Sequence, residues 1–180
     1  LGVDFKIGLG CNFTLTGTIS PDFGQVEADP ADLNLSAFET FFEERRPFFL
    51  EGTDIFKFGK TRAFSANSPS IFYSRRIGRS PRGSILDNSE YENYPSQTNI
   101  ISALKFSGKT SNGLSIGILD ALTAEEDALY FDSTETENSQ PIEPYANSLV
   151  LRLKQDLKEG KVTFGGFLTN RRQALETNYL

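Results

Sequence analysis

Hydrophobic and polar residues alternate in six short runs of this chain. Val3, Phe5, Ile7 and Leu9 alternate with Asp4, Lys6 and Gly8; after Gly10-Cys11-Asn12, the residues Phe13, Leu15, Gly17 and Ile19 alternate with Thr14, Thr16 and Thr18. Period two on both sides of a short turn predicts a β-hairpin. A second hairpin follows from about 99 to 124. Ile100, Leu104 and Phe106 share a face opposite Lys105 and Ser107, Asn112-Gly113 supplies the turn, and Leu114, Ile116 and Ile118 continue the apolar face. Asp120 interrupts it, either at a bulge or where the strand leaves its apolar zone. In the third hairpin Leu149, Leu151 and Leu153 alternate with Val150, Arg152, Lys154 and Asp156, and beyond Lys158-Glu159-Gly160-Lys161 the residues Val162, Phe164, Gly166 and Leu168 share a face. The predicted strands cover about 2–9, 12–20, 99–108, 114–124, 146–157 and 162–170.

These features predict an all-β fold, an antiparallel up-and-down transmembrane β-barrel. Strands of about 8–12 residues approach the length that crosses the hydrocarbon at a tilt. One face of each is apolar, and the other carries charges or small polar groups, as a wet lumen requires. Asp4, Lys6, Lys105, Arg152 and Lys154 are the lumen-facing candidates. Short turns alternate with long segments at 21–98 and 125–144, the arrangement of outer-membrane barrels. A soluble antiparallel sheet with one wet face would show the same alternation. Six strands are fewer than the eight of the smallest common barrel, so the chain is either one part of an assembly or, as expected here, a fragment of a single barrel domain.

The insert at 21–98 is too long for an ordinary loop. Ser36-Ala37-Phe38-Glu39 matches a capping box that opens a short helix, with Phe38, Phe41 and Phe42 on one face and Pro47 as its expected end. Phe48-Phe49-Leu50 follows as an apolar run closed by Glu51-Gly52. So aromatic a segment must pack on something, either as a plug in the lumen or as a cap on the surface. Arg75, Arg76, Arg79 and Arg82 form a basic cluster beside Phe72 and Tyr73. They are expected to pair with Glu39, Glu43, Glu44 or Asp54, or else to form an anion or lipid-phosphate site.

Composition narrows the chemistry. The 180 residues include no Met, His or Trp and a single cysteine, Cys11. Without histidine the commonest general base and metal ligand is missing, and one cysteine forms neither an internal disulfide nor a thiolate cluster. A net charge of −6 argues against nucleic-acid partners. Mean hydropathy is −0.34, which a barrel of alternating strands tolerates. The lack of Met at position 1 suggests a start inside a longer product.

No catalytic, cofactor-binding or metal-binding residues are assigned, and no cofactor is expected. Asp22, Glu27, Asp29 and Asp32 lack the spacing of an EF-hand. Glu43 and Glu44 are adjacent and would point apart on a helix, unlike paired glycosidase carboxylates. The acidic stretch at 125–144, with Glu125, Glu126, Asp127, Asp132, Glu135, Glu137 and Glu143, reads as a solvated surface loop. Neither a G-x-S-x-G nor a Walker A pattern occurs.

The insert also carries a resemblance. Ser20-Pro21-Asp22-Phe23-Gly24-Gln25-Val26-Glu27-Ala28-Asp29-Pro30, the block from Asn34 to Gly52, Phe72 to Arg79, Leu114-Ser115-Ile116-Gly117 and Ala121-Leu122-Thr123-Ala124 resemble the family called domain of unknown function 5916. The resemblance implies a Gram-negative bacterial outer-membrane protein. Family members carry an N-terminal carbohydrate-binding family 9-like domain before a β-barrel region, whose first part this chain resembles. Members are often labelled membrane-associated hydrolases; no catalytic residues transfer to positions here.

Three functions follow as expectations. One is an outer-membrane transporter, channel or envelope-assembly barrel linked to carbohydrate, whose partners are outer-membrane lipid, glycan and other envelope proteins. Another is a membrane-associated glycan hydrolase or carbohydrate-binding protein. The third is a structural anchor for a carbohydrate-binding domain.

Overall fold

The computed structural model describes residues 2–21, 42–56, 71–85, 91–131, 136–158 and 160–174. Their elements run β1 (Val3–Leu9), β2 (Phe13–Ile19), α1 (Pro47–Leu50), α2 (Thr53–Phe56), β3 (Tyr91–Asn93), β4 (Ile100–Lys109), β5 (Leu114–Thr123), β6 (Glu126–Phe131), β7 (Glu137–Glu143), β8 (Ala146–Leu157) and β9 (Val162–Gln173); a 3-10 turn spans Ser74–Arg76.

Six strands form one antiparallel sheet in the order β1-β2-β4-β5-β8-β9. The sheet is open, with β1 and β9 at its margins, and no closed barrel forms among the described residues. At the β4–β5 turn Gly113 sits at φ +83°, a conformation that favours glycine, and its N–H donates to Thr110 O at 3.0 Å.

Cross-strand register puts like residues in line. Ile7, Leu15, Phe106, Ile118, Leu151 and Leu168 pair in succession across all six strands. They share one face, because side chains repeat every two residues. That face stays open: Val3 is 59% exposed, Leu153 51% and Phe164 60%.

The other face is covered. Ala103, Leu119, Ala121 and Val150 pack there with Phe48, Phe49, Phe56 and Ile77 of the insert into the buried core. Small residues in the strands make room for these rings. A Cβ on Gly117 would lie 2.7 Å from Ile55 Cγ2 and 3.1 Å from the Phe56 ring, so α2 rests directly on β5. Ile100, expected beside Leu104 on the apolar face, joins this core instead. A register shift between Ile100 and Ser102 takes it out of the alternation. Register runs unbroken through Asp120, which pairs with Leu104 and Leu149. It lies where the open face turns polar, and its carboxylate accepts from Asn147 Nδ2 at 3.0 and 3.1 Å.

Two further expectations are corrected. Pro47 does not end a helix: residues 42–46 are non-helical, and Pro47 opens α1, where its missing N–H costs nothing and its φ is already helical. The capping box at Ser36 and the residues Phe38 and Phe41 lie outside the described residues. The acidic stretch at 125–144 is a hairpin rather than a loop. There β6 and β7 pair antiparallel, and β3 adds to β6. Ala128 and Ile142 are buried in it, and Pro141 lies on the margin strand β7, where a missing N–H breaks no ladder.

Candidate functional site

The site grows from the way the insert is fastened to the sheet. Lys105 stands at the centre of β4 and is 2% exposed. Its ammonium donates to the carbonyls of Phe48 and of Glu51, the latter at 2.5 Å, and lies 4.8 Å from the Phe48 ring centroid. A four-residue helix leaves its last carbonyls without intrahelical partners, and a buried lysine satisfies them. Lys6 bonds the Glu51 carboxylate from β1. That hydrogen bond holds the Glu51 carboxyl below its usual value, against a small opposing effect of burial.

A second fastening lies within the insert. Arg46, 8% exposed, donates to Glu44 through Nε (2.8 Å) and Nη2 (2.7 Å), and to the carbonyls of Ile77 (2.6 Å) and Ser74 (2.9 Å). Its guanidinium also lies 4.1 Å from the Phe49 ring centroid. Glu44 further accepts from Ser74 Oγ at 2.6 Å. Burial pushes the Glu44 carboxyl up, but the hydrogen bonds and charge of Arg46 outweigh it, and the net direction is down. Glu44 is thus engaged with Arg46 and Ser74, while the carbonyl of Glu43 accepts from Arg75 at 2.8 Å.

The third feature is a cleft of about 560 Å³ between residues 71–82 and the ends of β8 and β9. Arg76, Arg79, Arg82 and Arg171 line it with Phe72, Tyr73, Ser148, Thr169, Asn170 and Gln173. Glu143, 3% exposed, joins its walls: Arg79 Nη2 donates at 3.3 Å, Arg171 Nη2 at 3.1 Å and the Arg82 backbone N–H at 3.2 Å. Glu143, expected in a solvated loop, thus holds Arg79 and the Arg82 backbone of the basic cluster, while Glu44 bonds Arg46.

The lumen candidates Asp4, Lys6, Lys105, Arg152 and Lys154 fall on the face that the insert covers, alternate to the apolar row. Arg152 is buried at 5% exposure, and its Nη1 donates to the carbonyls of Leu153 (2.9 Å) and Gly166 (3.0 Å). Lys154 stays near Asp156, 3.4 Å away. Asp4 is exposed. Asp22, Glu27, Asp29, Asp32, Glu39, Asp132 and Glu135 lie outside the described residues. Sequence reasoning paired Glu43-Glu44 with Arg45-Arg46 but missed Arg171 and the reach of Arg46 to Ser74 and Ile77. These partners lie 28 to 31 residues away.

The family described as a domain of unknown function (DUF5916) matches residues 1–166. This chain belongs to it. The match takes in all strands through β8, both fastenings of the insert and most of the cleft, and ends within β9. No match was found among curated proteins or among solved structures.

Proposed function

We propose that this DUF5916 chain supplies part of an outer-membrane β-barrel whose insert plugs the lumen, and that the assembled barrel serves solute passage across the envelope. The observation that carries the reading is the unbroken apolar row from Ile7 to Leu168, open on one face, opposite a charged face covered by the insert. A soluble monomer rarely exposes so continuous an apolar surface. The dimensions agree with a bilayer. From Leu149 to Leu157 the strand spans about 26 Å at ~3.3 Å per residue. A tilt of about 40° reduces that to about 20 Å, near the ~25 Å apolar band of outer-membrane barrels. Asp120, Asn147, Asn170 and Arg172 lie at one end of this face and would form its polar rim at headgroup level.

Lipid is then the partner of the apolar face. Glycan is the candidate cargo on the strength of the family resemblance, with other envelope proteins as further partners. The test is the gel mobility of the full-length protein extracted from outer membranes in mild detergent. A folded form that resists SDS until boiled, then shifts, supports the barrel; extraction without detergent and no shift contradicts it. Single-channel conductance then separates a solute path from a mere anchor.

A further inference from the structure

The arginine-lined cleft is the strongest built feature outside the sheet. Four arginines, Arg76, Arg79, Arg82 and Arg171, line one cleft in a chain whose net charge is −6, and Glu143 is the carboxylate that meets them. Random placement would scatter these cations among the acids. Here one buried carboxylate, Glu143, ties Arg79 of the insert to Arg171 of β9 and fixes both walls. Guanidinium groups held in this way are preorganised donors for planar oxyanions, which they bind in forked geometry. Thr169, Gln173 and Ser148 add hydroxyl and amide groups, and Phe72 and Tyr73 add aromatic surface. The volume of about 560 Å³ is that of an organic-ligand site and far exceeds what one inorganic anion fills.

We propose that this cleft binds a small organic solute bearing two or more carboxylates, with hydroxyls for the amide and hydroxyl wall. The inference does not depend on the membrane reading, since the cleft needs only the insert, β8 and β9 in place.

The test is calorimetric titration of the full-length protein, purified in detergent, with digalacturonate, uncharged digalactose and inorganic phosphate. Saturable one-to-one binding of digalacturonate, with phosphate much weaker and digalactose unbound, is the expected result. Arg82→Gln should weaken it about ten-fold, the loss of one charge-assisted hydrogen bond. This substitution keeps the backbone N–H that Arg82 gives to Glu143. Arg172→Gln makes the same charge change at the adjoining position of β9, on the opposite face, and should leave binding unchanged. The proposal is overturned if digalacturonate does not saturate, if digalactose binds equally, or if Arg172→Gln weakens binding as much as Arg82→Gln. It is also overturned if phosphatidylglycerol in nanodiscs binds at the cleft and digalacturonate does not displace it.

Discussion

The ammonium of Lys105, at the centre of β4, donates to the backbone carbonyl of Glu51 at 2.5 Å. One strand side chain thereby holds the end of α1 on the sheet, 54 residues away in sequence. Lys105→Met keeps most of the volume but orphans the carbonyls of Phe48 and Glu51. A hydrogen bond to a charged group contributes about 1.5–3 kcal/mol, so a loss of about 2 kcal/mol is expected. Urea unfolding of the purified protein measures it. The same variant should be cut faster by protease within residues 42–56, because that segment loses its anchor.

Lys6 bonds the same residue from the sheet margin, yet should matter far less. Its side chain is 58% exposed and that of Glu51 45%. Exposed pairs are worth at most about 1 kcal/mol. Lys6→Ala should shift the urea midpoint only slightly, and the shift should vanish in high salt.

The Arg46–Glu44 pair is buried, at 9% and 10% side-chain exposure. Arg46→Met strands a buried carboxylate and should cost about 3–5 kcal/mol. The pair also carries a pH signature. The folded Glu44 carboxyl lies below its usual value. Its contribution is therefore complete above the ordinary carboxylate range and is lost as pH falls through the folded value. Stability measured by urea midpoint should fall as pH is lowered below the ordinary carboxylate range, and Glu44→Gln should flatten that slope.

Ile118→Arg and Leu168→Arg probe the open face. Ile118 is 37% exposed and Leu168 51%. On the lipid face of a barrel each should cost about 2–4 kcal/mol near the bilayer midplane. On a water-facing surface the same changes would stay within about 0.5 kcal/mol. Unfolding of the full-length protein from lipid vesicles decides between the two.

The two faces of the sheet were legible because strand side chains repeat with period two, so Leu149, Leu151 and Leu153 declare a face without any tertiary information. Asn112-Gly113 declares its turn for an equally local reason. The fastening of the insert was not legible. Arg46 meets Ser74 and Ile77 across some thirty residues, and Arg79 meets Glu143 across 64. Such pairs are set by packing and leave no spacing signal. The hairpin of β6 and β7 was hidden by its acids and by Pro141, which reads as a loop residue until β7 is known to be a margin strand. Pro47 misled in the opposite sense, since a helix breaker in mid-run is also a helix opener at its first position.

The most direct measurement compares neighbouring positions on β9. Leu168 lies in the apolar row, and Thr169 lies on the opposite face. With Cys11 replaced by Ser, a fluorophore would be attached at Leu168→Cys or Thr169→Cys in the full-length protein, in vesicles containing spin-labelled lipid. Strong quenching at 168 and weak quenching at 169 is the expected result. Equal quenching at both positions, or none at 168, would contradict a lipid-facing apolar row.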